Sequence, residues 1–168
     1  MDYTNKVKFA QDKKRGRSGF FIITYLWCYR TVSSKKLSTQ KLFAKILLSS
    51  VFKMCGVDIE TESVGGGLRL PHLNGIFVHK NASIGENCTI FQQVTIGANE
   101  HKLDYNGAPQ IGNRVYIGAG AKIIGKITIG DDVRIGAKAV VTKNISAGKT
   151  VVGCNKIIEK NSERIGII

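Results

Sequence analysis

Two residues in the first half of the chain, a histidine and an aspartate, have the types of a general base and of a group that can orient it. His72 lies in the stretch Leu70-Pro71-His72-Leu73-Asn74-Gly75, and Asp58 precedes it by fourteen residues. A neutral imidazole accepts a proton near pH 7, and a carboxylate bonded to its second ring nitrogen fixes the tautomer and stabilises the imidazolium. The pair could therefore deprotonate a hydroxyl while its oxygen attacks an acyl group.

The other two histidines give weaker signals. His79 follows an aliphatic residue at a position where any polar residue would serve, and we predict no functional role for it. His101 lies in a polar segment from which it could reach back towards His72. The three histidines are spaced by seven and twenty-two residues. This spacing lacks the close pair that a three-histidine zinc site needs, so we predict no metal.

Most of the chain after these residues is a six-residue repeat, whose fold would position them. An aliphatic residue, mostly isoleucine, recurs every six positions, which suits neither a helix nor a half-buried strand. Three six-residue units close one turn of a triangular coil, so we predict a mainly β fold, a parallel β-helix. The aliphatic residues would stack inward, and permissive residues, often the glycine that follows, would turn the corners at positive φ. The repeated positions are Val78, Ile84, Ile90, Ile96, Ile111, Ile117, Ile123, Ile129, Ile135 and Val141.

The register jumps by fifteen residues between Ile96 and Ile111, which is nine more than one repeat. We therefore predict an inserted loop at about 98–108, and His101 falls within it. The sequence divides into a basic N-terminal helical segment at 1–56, a β-helix domain at 57–158 and a C-terminal tail at 159–168.

Two helical patterns precede the coil. Residues 18–32 carry a bulky apolar face, and a second pattern from residue 38 to residue 54 is ended by Gly56. Residues 1–16 are polar and charged, and we expect them to fray. The helices would cover one end of the coil and shield its open strand edge.

The positive charge is concentrated before the repeat. Residues 1–56 hold 12 Lys and Arg against 2 acidic residues, whereas residues 57–168 hold 13 against 10. Two interpretations stay open: the basic segment contacts an anionic surface such as the inner face of a membrane, or it is a solvated helix face. Nucleic-acid binding is not expected, because no docking motif accompanies the charge.

The cysteines and the apolar run near the start indicate where in the cell the protein is located. Cys28, Cys55, Cys88 and Cys154 form no CxxC pair and have no metal spacing, which predicts a reducing, cytoplasmic location. Cys88 falls at an inward phase of the repeat. The run Phe20–Tyr29 is too short to span a bilayer.

The repeat, together with Asp58, His72 and the loop after Ile96, resembles the hexapeptide-repeat acyltransferases, and most closely the serine acetyltransferase branch. The resemblance covers roughly residues 56–158 and implies a left-handed parallel β-helix. It implies that His72 is the base, that Asp58 orients it, and that acetyl-CoA is the acyl donor. It also implies a homotrimer, because the family's donor groove lies between neighbouring subunits.

The resemblance also implies which residues hold acetyl-CoA. Small residues let strand-edge amides and carbonyls contact its pantetheine arm, and lysines near the last coils would meet its phosphates. The residues implied are Gly118, Ala119, Ala121, Gly136, Ala137, Lys138, Lys143 and Lys156.

The acceptor is where this chain departs from the family pattern. Serine-specific members carry an acidic residue just before the base histidine and an Arg-His pair before the loop proline. Here those positions hold Pro71 and the pair Gly107-Ala108. We therefore expect O-acetylation of a sugar in surface-polysaccharide synthesis, with serine O-acetylation for cysteine synthesis as the alternative. A zinc hydratase on the same coil and a non-catalytic scaffold are the remaining readings.

Overall fold

In the computed structural model, residues 3–15, 20–32, 39–59, 63–99 and 107–158 are described. Three helices come first, and short strands follow. The helices are α1 (Tyr3–Arg15), α2 (Phe20–Val32) and α3 (Thr39–Cys55). The strands are β1 (Asp58–Ile59), β2 (Phe77–Val78), β3 (Ser83–Ile84), β4 (Thr89–Ile90), β5 (Thr95–Gly97), β6 (Gln110–Ile111), β7 (Tyr116–Ile117), β8 (Lys122–Ile124), β9 (Thr128–Ile129), β10 (Arg134–Ile135), β11 (Val140–Val141), β12 (Thr150–Val152) and β13 (Lys156–Ile158).

The strands form the three faces of a left-handed parallel β-helix, as the repeat and the resemblance predict. The first face has the strand order β1-β2-β5-β8-β11, the second β4-β7-β10-β12-β13, and the third β3-β6-β9. On the first face Ile96 pairs with Ile123, 27 residues later, whereas Ile123 pairs with Val141 after 18 residues. Nine residues therefore leave the coil after β5, as the register jump predicts. Residues 100–106 of that loop, including His101, lie outside the described residues.

The repeated aliphatic residues fill the interior. In the described part of the chain each coil contributes one inward residue from each face, and every one of them is at most 7% exposed. Cys88 is fully buried among them, as its phase predicts. From the first coil to the last, the inward residues are Ile59, Val64 and Leu70; Val78, Ile84 and Ile90; Ile96, Ile111 and Ile117; Ile123, Ile129 and Ile135; and Val141, Ile145 and Val151.

The glycines that follow the inward residues do not turn the corners at positive φ, which corrects the expectation from sequence. Their role is steric. A Cβ on Gly112 would lie 2.5 Å from Asp131 Oδ1, and a Cβ on Gly118 would lie 2.6 Å from the backbone nitrogen of Ala137. Glycine is required there because the next coil lies too close for any side chain.

Other residues make the left-handed corners. One column of them stacks through backbone hydrogen bonds: the amide of Gln93 donates to Asn74, and the amide of Lys138 donates to Ala119. Both Gln93 and Lys138 have φ near +60°, which is costly outside glycine but tolerated singly when the stack fixes it. The same column contains Gly56, Gly75 and Gly120.

The start of the chain is a docked helix and not the frayed segment that its composition suggests. Asp12 of α1 and Arg30 of α2 form a buried ion pair of 3.0 Å. Arg30 also donates to the carbonyls of Val64 (2.9 Å) and Gly65 (2.6 Å), and the amide of Leu68 donates to Asp12 (2.7 Å). Burial raises the pKa of Asp12, while the Arg30 guanidinium opposes that rise. The ion pair thus fixes α1 and α2 against the glycine-rich entry of the first coil.

Helix α2 packs Tyr25, Leu26 and Tyr29 into the same buried cluster as Val57 and Ile59. The helices therefore cover the first coil, as predicted. At the other end β13 pairs antiparallel with β12, which departs from the parallel pairing of the remaining strands. The first coil is thus covered by the helices, whereas the second face ends in the exposed edge strand β13.

Helix α3 ends at Gly56 in the left-handed conformation, as the sequence predicts. One of its faces is apolar and exposed, at Leu42, Phe43, Ile46 and Met54. Among the described helices, none has the length and hydropathy to cross a bilayer. Contact of the basic segment with an anionic surface stays a prediction.

Two substitutions at Ile117 test the stacked interior. Ile117→Asp places a carboxylate at a fully buried position in an apolar stack, and we expect it to abolish soluble, folded protein. Ile117→Val removes one methylene and should lower the free energy of unfolding by about 1 kcal/mol. Circular dichroism and denaturant unfolding measure both effects. A folded aspartate variant would contradict the inward position of Ile117.

Candidate functional site

The corner between the first and second coils carries His72. Counting back by six from Val78 would place His72 in the interior, but the inward residue is Leu70, eight positions before Val78. The segment Pro71–Gly75 forms the longer corner, and Gly75 turns it at φ +62°. The His72 side chain is therefore exposed, as a proton acceptor for an external substrate must be.

Two aromatic rings continue from His72 along the second face. The ring of Phe91 lies 6.4 Å from the His72 ring, and the ring of Tyr116, one coil further, lies 5.2 Å from Phe91. Next to Phe91, the side-chain oxygen of Gln92 is buried and has no hydrogen-bond partner among the described residues. Sequence reasoning missed these three residues. The pairing of β4 with β7 is what brings Phe91 and Tyr116 together.

Asp58 lies on the other side of the same corner. It occupies β1, where its amide donates to the carbonyl of Ile76 (2.7 Å) and its backbone pairs with Phe77. Because His72 precedes Phe77 by five residues, the fold places His72 and Asp58 on adjacent faces at the start of the coil. The orienting role of Asp58 stays a prediction.

Asp58 lines two grooves. The helix groove encloses about 230 Å³ between the helices and β1, and its lining includes Tyr25, Tyr29 and Leu48. Burial in this apolar setting raises the pKa of the Tyr25 hydroxyl, and the neighbouring Tyr29 and Asp58 add to the rise. Tyr25 therefore stays a neutral phenol beside the carboxylate.

The strand groove encloses about 220 Å³ on the outer side of the first face. Its lining residues are Asp58, Phe77, Val78, His79, Thr95, Ile96 and Gly97. The aromatic ring of Phe77 is 43% exposed. Beside the groove, the Lys122 ammonium donates to the Thr95 hydroxyl (2.9 Å) and to the carbonyl of Gln93 (3.0 Å). Asp58, His79, Thr95 and Phe77 thus line an open groove with room for a small molecule.

The residues predicted to hold acetyl-CoA follow β7 and β10 on the second face. The amides of Gly118 and Gly136 donate to Ile135 and Val151 of the next coil, and Ala119 accepts from Lys138. Ala137 is exposed. One predicted residue is corrected: Ala121 is fully buried, and its amide and carbonyl bond to Gly118 and Thr95, so it fills the interior and offers no contact.

The predicted phosphate contacts are lysines at the far end of the coil. Lys138, Lys143 and Lys156 are all exposed. Their role in binding phosphates stays a prediction.

Within the described ranges, no three His, Cys, Asp or Glu side chains are close enough to hold a metal ion. The four cysteines are free thiols, and burial raises the pKa of Cys28, which makes its thiolate harder to form.

Three comparisons place the chain among known proteins. The bacterial transferase hexapeptide (six repeats) family matches residues 108–143. A serine acetyltransferase of Helicobacter pylori is 37% identical over 138 residues, which cover 81% of this chain and 80% of that protein.

Solved structures agree with the sequence match. Soybean serine acetyltransferase, as the apoenzyme, superposes with a TM-score of 0.79 at 26% identity, over 94% of this chain and 70% of that one. The Neisseria gonorrhoeae serine acetyltransferase in complex with serine superposes with a TM-score of 0.72 at 28% identity, with the same two coverages.

Proposed function

Because the chain belongs to the serine acetyltransferase family of hexapeptide-repeat transferases, we propose that it transfers the acetyl group of acetyl-CoA to the hydroxyl of a small acceptor. The observation that carries this proposal is the 37% identity over four-fifths of both chains. The exposed His72 at the first corner supplies the base that such a transfer needs.

Serine is the acceptor that the relatives favour. The relatives and structural neighbours compared above are named serine acetyltransferases, and one neighbour was solved with serine bound. The sugar acceptor expected from sequence finds no support in these comparisons. We therefore propose serine O-acetylation as the first candidate activity.

A sugar hydroxyl is the second candidate, because of specific residues. Pro71 cannot bind an ammonium group as the family's acid does. Gly107 and Ala108 are buried and carry no group that could bind a carboxylate. A serine acceptor would therefore need other contacts in this chain.

The proposed mechanism gives His72 the role of base and Asp58 the role of its orienting partner. In a complex of enzyme, acetyl-CoA and acceptor, His72 takes the hydroxyl proton while the oxygen attacks the thioester carbonyl carbon. Backbone amides stabilise the negative oxygen of the tetrahedral intermediate. Collapse breaks the carbon–sulfur bond, and the thiolate regains a proton from the imidazolium. Asp58 orients the imidazole and stabilises its charge. The route needs no covalent acyl-enzyme.

The donor would lie along the second face. Gly118, Ala119, Gly136 and Ala137 keep that surface flat for the pantetheine arm. The cations of Lys138, Lys143 and Lys156 would bind the phosphates. The stacking of Gly118 next to Gly136 and of Ala119 next to Lys138 on consecutive coils supports this assignment.

Substitution of the base tests the mechanism. His72→Ala should lower kcat at least a hundredfold, the usual effect of losing a positioned general base, while acetyl-CoA binding survives. Asp58→Asn should slow transfer less, because the base remains in place. Thiol release gives the rate, calorimetry gives donor binding, and Lys80→Ala controls for an exposed neighbouring change. A folded His72→Ala enzyme with the wild-type rate would remove His72 from the mechanism.

An acceptor screen decides between the two candidates. CoA thiol release would be followed with L-serine and with free, nucleotide-linked and lipid-linked sugars. The family relationship predicts release with serine. Release with a sugar and none with serine would establish the second candidate in its place.

We also propose a homotrimer, since closed cyclic assembly is the common form of oligomer and the second face needs a neighbour to enclose the donor. Light scattering during size-exclusion chromatography should give three times the 18.3 kDa chain mass. A stable monomer at micromolar concentration would contradict the proposal.

A further inference from the structure

His79, for which the sequence predicted no role, lies in the strand groove with Asp58. Its Nδ1 accepts a hydrogen bond from the amide of Asn81 (3.2 Å). A nitrogen that accepts from an amide carries no proton, so neutral His79 is the tautomer protonated on Nε2. The local bond thus fixes both the ring orientation and the identity of its remaining donor.

We infer that His79 binds the acceptor by donating a hydrogen bond from Nε2 to an acceptor oxygen in the strand groove. This inference rests on the proposed acetyl transfer and names a residue that selects the acceptor. The oxygen belongs to the carboxylate if the acceptor is serine, and to a ring hydroxyl if it is a sugar. The shared chemistry is a small hydroxyl compound with a second oxygen that accepts a hydrogen bond.

The size of the groove favours the acceptor over the donor. At about 220 Å³ it falls below the roughly 300 Å³ at which pockets for drug-sized ligands begin, and acetyl-CoA is larger still. The groove also reaches Asp58, so a molecule within it lies beside the corner that carries His72. Phe77 offers an exposed ring on which the apolar face of a sugar could stack.

The strand groove offers polar groups that could bind an acceptor, which Pro71, Gly107 and Ala108 do not. Those three positions offer no charged or polar side chain to an acceptor, whereas the strand groove offers a donor at His79 and acceptor oxygens at Asp58. A shift of recognition from the loop to this groove explains how the chain could keep the family's chemistry without the family's serine contacts.

The alternative is that His79 only closes the turn to Asn81. Two variants, each of which keeps one of the two hydrogen bonds, separate acceptor binding from turn closure. His79→Asn keeps a side-chain acceptor for the Asn81 amide, as Asn does in Asx turns, but loses the outward donor. His79→Gln places an amide N–H near the position of Nε2 but lacks the acceptor close to the backbone. Lys80→Ala is the matched control on the next residue.

Steady-state kinetics with the full chain measure the KM of the acceptor, the KM of acetyl-CoA and kcat. We expect His79→Asn to raise the acceptor KM about five- to tenfold, the loss of one hydrogen bond, with the KM of acetyl-CoA unchanged. His79→Gln should stay within about twofold of wild type. Phe77→Leu should raise the KM of a sugar acceptor, because it removes the ring on which the sugar could stack, and leave the KM of serine unchanged. This difference shows whether the oxygen that His79 binds belongs to a sugar or to serine.

The reverse order, with His79→Gln impaired and His79→Asn normal, would assign His79 to the turn and overturn the inference. Equal KM values for all variants would overturn it too, while wild-type thiol release keeps the proposed function standing. If the folded wild type releases no thiol with serine or any sugar, the proposed function fails and this inference fails with it.

Discussion

The width of the coil interior is the constraint on which the rest of the structure depends. Each level admits one large aliphatic side chain from each face, as at Ile96, Ile111 and Ile117. The amides and carbonyls of one level bond to the next, so every outer residue has a fixed neighbour one strand spacing away. The pairing of β4 with β7 sets Phe91 beside Tyr116, and the corner that precedes β2 sets His72 beside Phe91.

The same close stacking explains the glycines. At some positions after the inward residue the next coil leaves no room for a Cβ, as at Gly112 and Gly118, whereas the left-handed corners fall elsewhere, as at Gly75, Gln93 and Lys138. The glycines that directly follow inward residues therefore do not make the bend, and at the tightest of these positions glycine marks close approach between levels. A non-glycine residue can hold φ near +60° because its hydrogen bonds to the neighbouring coil offset the local strain.

The fold was predictable from sequence because its signal is periodic and local. The inward positions, the nine-residue insertion and the covering helices all follow from spacing or apolar pattern. The docking of α1 does not follow from such a pattern, because it depends on contacts of Asp12 with Arg30 and Leu68, which are far from it in the sequence. The phase of His72 was ambiguous for a related reason: only the paired register shows that Leu70 takes the inward place. Asp58 and His72 were identified through a family resemblance, whereas the strand groove required the pairing of β1 with β2 and β5.

The proposed mechanism divides recognition of the two substrates between separate faces of the coil. The second face presents closely stacked backbone at Gly118 and Gly136 and exposed lysines at Lys138 and Lys156, which suit a long ligand with phosphates, while the first face presents a small groove lined by Asp58 and His79. Because the proposed base lies at the corner between these faces, acceptor contacts can differ from those of the relatives while the donor contacts stay the same. The family relationship is then compatible with the altered residues at Pro71, Gly107 and Ala108. In this proposal His72 and the second face keep the acetyl transfer, and the residues that line the strand groove beside Asp58 select the acceptor.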